Sequence, residues 1–158
     1  MNSAVVTLLR ILLVATIILL VVAQLFALPE TADTWAGLYP ELAWLRTPGL
    51  IIAVAFIVCV QVVLACLWRM LGIVAEDGPF SQRSLGYITV IIAAIIAADL
   101  LIVAAILLLA AAQALNPSIL LLGGFGVVVG AVLALLVGVM RTMLRRALDL
   151  QHDLSEVV

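Results

Sequence analysis

Two strongly polar side chains interrupt apolar runs and are the first residues that could do chemistry. Asp99 lies near the middle of the third apolar run, and Gln61 lies at similar depth in the second. An aspartate at the centre of a membrane helix costs about 2.5–3.5 kcal/mol, so its side chain should face a partner helix or water. No basic residue lies at that depth. We therefore expect Asp99 to share a hydrogen bond with Gln61.

An intramembrane carboxyl group has three plausible uses. It can relay protons or cations, make a polar contact to another subunit, or hold two helices together through a structural hydrogen bond. A relay normally needs more than one such group, and Asp99 is the single charged residue of its run. The sequence leaves the functional and structural interpretations open.

The other reactive side chains are few and dispersed. Cys59 and Cys66 are seven helical positions apart, about 10.5 Å along the axis, which is too far for a disulfide. We expect them to be small packing residues. His152, the single histidine, lies near the C-terminus beside carboxylates, a poor metal site. Nucleophile, base and orienting group are nowhere grouped. The sequence predicts no enzyme activity, no catalytic residue, no metal and no cofactor.

Four apolar runs must position these residues. The chain is 68% hydrophobic and only 10% charged, with a mean hydropathy of +1.44, whereas soluble domains carry about 25% charged residues. Each run approaches or exceeds the roughly 20 residues needed to cross a bilayer. We predict an all-α polytopic membrane protein of one domain, 1–158, forming a four-transmembrane-helix bundle. The predicted spans are about 8–28, 49–70, 87–112 and 118–140, followed by a cytoplasmic amphipathic helix at 141–158 that continues the fourth span.

Capping residues mark the predicted helix boundaries. Pro29 should end the first helix. Thr47 and Asn116 each precede a proline and are predicted N-caps of the second and fourth spans. Ser81 is the predicted N-cap of the third.

The arginines predict the orientation. Six lie at one end of the predicted spans, and only Arg46 lies at the other. The six are Arg10, Arg69, Arg83, Arg141, Arg145 and Arg146. Because basic residues are enriched on the cytoplasmic side, we predict that both termini are cytoplasmic. Arg141, Arg145 and Arg146 cluster at the predicted membrane surface and are expected to contact lipid headgroups.

The predicted outer loop, residues 29–48, is acidic and aromatic. Leu38, Leu42 and Leu45 have helical spacing, which predicts a short surface helix. Its aromatic residues are Trp35, Tyr39 and Trp44. The loop either caps a site between the helices or anchors the chain at the membrane interface. We favour anchoring, because interfacial aromatics do this routinely.

Small residues recur every four positions in the fourth span. We name Gly126, Gly130, Ala134 and Gly138 the small-residue stripe. Such a stripe lets a neighbouring helix approach closely. The neighbour is either another helix of this chain, which we favour, or a second copy.

The cytoplasmic segments carry apolar side chains that suggest a docking surface. Leu144, Leu148 and Leu154 lie near one face of the C-terminal helix, and Phe80 follows a Gly-Pro turn in the inner loop. The face either binds a partner helix or packs against the bundle itself, since amphipathicity does not reveal what covers it.

Short motifs along most of the chain resemble a bacterial family of small four-helix membrane proteins, domain of unknown function 2975. The matching residues are Tyr39-Pro40-Glu41-Leu42-Ala43 with Leu45-Arg46, then Gln61, Cys66 and Trp68-Arg69, then Asp77 with Phe80-Ser81, and finally Leu150, Asp153, Glu156 and Val157. The resemblance implies a multi-pass protein of the bacterial cytoplasmic (inner) membrane. It also implies a partner, because genes of this family often lie beside one for a small helix-turn-helix regulator.

These observations together predict a non-enzymatic membrane regulator or sensor that binds a cytoplasmic partner such as a small helix-turn-helix transcription factor. No basic tract suited to direct nucleic-acid binding is present. Two alternatives remain open at this stage. One is a subunit of an oligomeric channel or transporter that uses Asp99 and Gln61. The other is an accessory subunit of a larger membrane complex, with the small-residue stripe as its docking face.

Overall fold

A computed structural model describes the backbone of residues 3–76 and 82–155, and the side chains of 5–72 and 86–146. Every regular element in these ranges is helical. The elements are α1 (Ser3–Val22), a π-helix (Ala23–Ala27), α2 (Leu28–Leu38), a 3-10 helix (Pro40–Leu45), α3 (Arg46–Glu76), α4 (Gln82–Ala111) and α5 (Pro117–Ser155). Phe80 and Ser81, and the side chains of Leu148 and Leu154, lie outside the described residues.

Four helical stretches are long and apolar enough to cross a membrane, as the sequence predicts. They are Val5–Leu38, Pro40–Gly72, Gly86–Ala111 and Pro117–Arg146. The first runs through α1, the π-helix and α2, so it extends well beyond the predicted span. These lengths exceed the roughly 20 residues that a bilayer core requires.

The fold buries very little apolar surface within itself. Among the described side chains, the buried hydrophobic residues are Cys66, Ile88 and Ile91. Large residues such as Leu121 and Leu122 are about 75% exposed. A soluble monomer rarely exposes so continuous an apolar surface. The exposed surface therefore fits lipid as the surrounding solvent.

The long helices pack as a row. The extensive contacts join α1 to α3, α3 to α4, and α4 to α5. A closed bundle would also pair α1 with α5, and the described residues make no extensive contact of that kind. α3 and α4 form the centre of the row, so a site built between them has helix on both sides.

The prediction that Pro29 ends the first helix is wrong. The backbone stays helical through Ala27 and Leu28, and Pro29 lies in the first turn of α2. Proline lacks an amide hydrogen and crowds the carbonyl four residues earlier. The π-helix immediately before Pro29 relieves this crowding, because its hydrogen bonds join residues five positions apart. The Leu28 amide donates to the Ala23 carbonyl.

Of the three predicted N-caps, Asn116 is confirmed, Thr47 is wrong, and Ser81 lies outside the described residues. The Asn116 Oδ1 accepts the Ser118 amide at 3.2 Å, and Pro117 is the first residue of α5. Thr47 is not an N-cap, because α3 begins one residue earlier, at Arg46, directly after the 3-10 helix. The helical segment 40–45 supplies the preceding turn, so no side-chain cap is needed there.

We call α2 and the 3-10 helix together, residues 28–45, the connector. It forms two short helices where the sequence predicts one, and Tyr39 separates them with non-helical backbone angles. This break divides the predicted apolar face. Leu42 and Leu45 turn inward, whereas Leu38 is 66% exposed.

A tight turn joins α4 to α5. The Gln113 amide donates to Ala110 and the Ala114 amide donates to Leu109, each at 3.0 Å. This pattern is the Schellman motif, and it places Gln113 at a φ of 57°. Glycine usually occupies that position because a side chain crowds the left-handed backbone.

We expect Gln113→Gly to raise the free energy of unfolding by up to about 1 kcal/mol, because it removes that crowding. Reversible unfolding in mixed detergent micelles would measure the change. Ala112→Gly, at a neighbouring position without positive φ, is the control and should not stabilise. Equal effects of the two substitutions would contradict this account of the turn.

Candidate functional site

A cavity of about 440 Å³ lies between the connector, α3 and α4. We call it the connector cavity. Trp35 and Tyr39 of the connector line one side, Phe56 of α3 another, and Leu101 and Ile102 of α4 a third. Its volume is within the range of ligand pockets, about 300–1,000 Å³. The small residues along its walls, Ala32, Ala36, Gly49, Ala53, Ala105 and Ala114, leave this space open.

The lining is almost wholly apolar. Arg46 is the one charged residue among the described residues that line the connector cavity. Its guanidinium Nη2 lies 2.5 Å from the Asp33 Oδ1, and both side chains are partly exposed, at 44% and 59%. An apolar interior without converging polar groups does not hold ordered water. The connector cavity therefore suits an apolar ligand whose polar end lies near this ion pair.

The connector's aromatic residues divide between two roles. Trp35 stacks on Tyr39 with ring centroids 5.7 Å apart and planes 15° apart. Both residues line the connector cavity and remain substantially exposed. Trp44 is exposed and does not line it. The connector thus has both features that the sequence left as alternatives: a surface of exposed aromatics and a cap over a space between helices.

Asp99 lies against α5. A Cβ atom built on Gly130 would lie 2.6 Å from the Asp99 Cγ, so the carboxyl group packs directly on the Gly130 backbone. Among the described residues, no side chain or backbone group hydrogen-bonds to this carboxyl group. Asp99 lines neither the connector cavity nor the groove described below.

Gln61 pairs with a residue that the sequence analysis missed. Its Nε2 donates to the Gln24 Oε1 at 2.8 Å, and the Gln24 Nε2 donates to the Val54 carbonyl at 3.2 Å. The predicted hydrogen bond between Asp99 and Gln61 is therefore not formed. Gln24 is the one amide in the first apolar run. It lies four residues from the end of the predicted span 8–28, whereas Gln61 lies twelve residues into the predicted span 49–70, so the predicted depths did not suggest this pairing. The two amides link the π-helix to α3.

The small-residue stripe has two different surroundings. Near the connector cavity, Gly126 and Gly130 lie against Ile102 and Asp99 of α4. Farther along, Ala134 and Gly138 line a groove of about 420 Å³ beside Ile92. Among the described residues, no atom outside the adjacent backbone of α5 lies within 4 Å of a Cβ built on Gly138. Packing along the whole stripe stays a prediction.

The arginines differ in burial. The Arg10 Nη2 is 3.5 Å from the Leu71 carbonyl, which brings the start of α1 to the end of α3. The Nε atoms of Arg10 and Arg141 are buried, with no hydrogen-bond partner among the described residues. Arg145 and Arg146 are exposed, and Leu144 is half-buried. Their contacts with headgroups or with a partner stay predictions.

The cysteines are as expected. Cys59 and Cys66 are both free, and Cys66 is buried. In the part of the chain that the structure describes, no three histidine, cysteine or acidic side chains form a group that could hold a metal.

We expect Gly130→Ala to lower the free energy of unfolding by about 1–3 kcal/mol, because its Cβ overlaps the Asp99 carboxyl group. Gly124→Ala is the matched control, since its Cβ meets nothing within 4 Å and alanine favours the helix. Adding Asp99→Ala to Gly130→Ala should restore most of the loss. Equal stability of the two single variants in detergent would refute the contact.

Gln24→Leu and Gln61→Leu should be energetically coupled, because each removes one partner of the hydrogen bond that joins the two side chains. A double-mutant cycle should give a coupling energy of about 0.6–1.7 kcal/mol, the range found for hydrogen bonds between membrane helices. Gln61→Leu with Asp99→Asn is the comparison cycle and should be additive. Coupling between Gln61 and Asp99, with additivity between Gln24 and Gln61, would show that Asp99 is the partner of Gln61.

The comparisons with known proteins identify a family. Residues 30–158 match the model of the family described as "Protein of unknown function (DUF2975)". No curated protein and no solved structure matches the chain. The matched region includes all but the first two residues of the connector, together with α3, α4 and the described part of α5, and so contains the whole lining of the connector cavity. The match extends over most of the sequence, and the chain belongs to the DUF2975 family.

Proposed function

We propose that this protein is a non-enzymatic regulator or sensor of the bacterial cytoplasmic membrane that binds a cytoplasmic partner through the end of α5. The observation that carries this proposal is the length of α5. Its 39 residues correspond to about 58 Å of helix, whereas a bilayer with its headgroups is about 40–45 Å thick. A single helix of this length must project from the membrane unless it is strongly tilted.

The excess length lies at the C-terminal end of α5. The turn at 112–116 holds the start of α5 close to the end of α4, so the two helices enter the membrane at the same level. α4 ends at Ala111 after 30 residues. The surplus of α5 therefore lies beyond Arg146, where the apolar stretch Pro117–Arg146 ends. In this proposal, residues 147–155 form a helical projection.

Charge supports a cytoplasmic location for that projection. Arg141, Arg145 and Arg146 precede it, and Arg10 and Leu71 bring the start of α1 and the end of α3 together. The positive-inside rule places these ends in the cytoplasm. Arg46, at the opposite end of α3, is paired with Asp33. The proposed topology has both termini inside and the connector outside.

The partner proposed is a small helix-turn-helix transcription factor. The half-buried Leu144 begins an apolar face that the sequence continues through Leu148 and Leu154. A helix with one apolar face can bind another helix or a hydrophobic groove. The family resemblance suggests that the regulator supplies this helix or groove. Phe80 in the inner loop is a second proposed contact with the regulator.

A second candidate function is an accessory subunit of a larger membrane complex or homo-oligomer. The groove beside Ala134 and Gly138 favours it, because no atom of a described neighbouring element lies within 4 Å of a Cβ built on Gly138. A role as a channel or transporter subunit rests on Asp99, whose carboxyl group lacks a hydrogen-bond partner there. Asp99 packs against Gly130, however, and borders neither of the two cavities, so we favour the regulator.

Removal of residues 147–158 should weaken binding of the partner. The full chain and the 1–146 variant would be reconstituted in lipid nanodiscs and titrated with a small helix-turn-helix regulator of the kind that the family resemblance implies. We expect at least about a tenfold loss of affinity, or 1.4 kcal/mol, from the truncation.

Two controls sharpen this experiment. Leu148→Asp in the full chain should reproduce the loss, whereas Asp149→Asn, on another face of the same helix, should bind as the unmodified protein does. Unchanged binding by the 1–146 variant would end the tail-docking proposal. A native mass showing a stable hetero-complex that survives the truncation would favour the accessory subunit.

A further inference from the structure

We propose that the connector cavity binds one acyl chain of a zwitterionic membrane phospholipid, whose headgroup lies at the Arg46–Asp33 ion pair. The inference deepens the proposed function, since it gives the sensor a ligand, and it rests on the helices lying in a bilayer. It does not depend on the cytoplasmic partner. Three observations carry it: the shape and lining of the connector cavity, the position of the connector, and the charges at the rim.

The lining selects a hydrocarbon chain. Apart from Arg46, the side chains that line the connector cavity are aliphatic or aromatic. Water in such a space would lose hydrogen bonds that nothing replaces. The walls come from α3 and α4, both within apolar stretches long enough to cross a membrane. Lipid chains are therefore the apolar molecules adjacent to the cavity, present at far higher concentration than any solute.

The connector lies at the level where the acyl chain of the lipid would meet its headgroup. Trp35 and Tyr39 line the connector cavity with part of each ring and expose the rest. Tryptophan and tyrosine favour the level of the membrane where hydrocarbon meets headgroups. A chain beneath these rings would thus lie at its normal depth, with its glycerol and headgroup at the rim.

The charges at the rim favour a headgroup that carries both signs. Arg46 presents a guanidinium group, which binds phosphate through paired hydrogen bonds. Asp33 beside it can accept an ammonium group. The connector and Arg46 together carry three carboxylates, Glu30, Asp33 and Glu41, against one cation. A net negative lipid would meet this excess of negative charge, whereas a zwitterionic lipid supplies a partner for each sign.

Ile102 gives the connector cavity a direct contact with α5. This residue lines the cavity, and its Cδ1 would lie 3.4 Å from a Cβ built on Gly126. Its Cγ2 would lie 3.6 Å from a Cβ built on Gly123. A chain that displaces Ile102 must therefore press on α5, the helix that ends in the proposed docking segment.

Native mass spectrometry can test the binding site. The full chain would be extracted from nanodiscs containing equal amounts of phosphatidylethanolamine and phosphatidylglycerol, and the retained lipids counted. We expect one phosphatidylethanolamine per chain, retained at least fivefold over phosphatidylglycerol. Ala105→Phe fills the cavity and should reduce retention at least tenfold. Val103→Phe is the matched control on α4, outside the lining, and should retain the lipid.

A second measurement remains informative if Ala105→Phe does not fold. Trp44→Phe with Trp68→Phe leaves Trp35 as the single tryptophan. Phosphatidylethanolamine with brominated acyl chains should quench Trp35 fluorescence more than the brominated phosphatidylglycerol does. Asp33→Asn should reduce that preference, because the ammonium group of phosphatidylethanolamine loses its carboxylate partner.

Three results would overturn the inference. These are no retained lipid, equal retention by the two phenylalanine variants, or equal retention and quenching by the two lipids. The 1–146 variant should retain phosphatidylethanolamine as the full chain does, since the connector cavity is intact. Lipid binding can therefore fail while the proposed cytoplasmic partner still binds. Partner binding can likewise fail while the lipid is still retained.

Discussion

Hydrogen bonding of the backbone in an apolar surrounding is the constraint on which the rest of the structure depends. Lipid offers no donor or acceptor, so each amide and carbonyl must find a partner within the chain. Continuous helices provide almost all of these partners. At Pro29 the chain widens into a π-helix, and at Gln113 it accepts a left-handed backbone angle that completes the Schellman motif. Both irregularities preserve hydrogen bonding where an ordinary α-helix cannot continue.

The same constraint applies to the polar side chains within the apolar stretches, which also need hydrogen-bond partners inside the protein. The Gln61 Nε2 donates to the Gln24 Oε1, and the Gln24 Nε2 donates in turn to the Val54 carbonyl. The Thr16 hydroxyl donates to the Leu12 carbonyl, four residues earlier, at 2.8 Å. Asp99 differs, since it has steric contact with Gly130 but no hydrogen bond from a described residue. It is therefore the polar group whose role the interior of this fold explains least.

The features that could be predicted from the sequence are those that depend on residues close together in the chain. Four apolar helices, the Asn116 cap and the free cysteines follow from run length, capping preference and spacing along one helix. It did not predict the Gln24–Gln61 pair or the connector cavity, because both depend on the rotation of helices about their axes. In a soluble protein the apolar face would reveal that rotation. Here lipid and the protein interior are both apolar, so residues such as Phe56 and Leu101 carry no signal that distinguishes a cavity wall from a lipid-facing surface.

The π-helix before Pro29 has a consequence for the direction in which the connector faces. A π-turn contains one residue more than an α-turn and so shifts the angular register of everything after it by about 100°. Trp35 and Ala36 therefore face the connector cavity at an angle that a continuation of α1 would not give them. A single inserted residue can in this way reorient an aromatic cover while the helix beneath it remains unbroken.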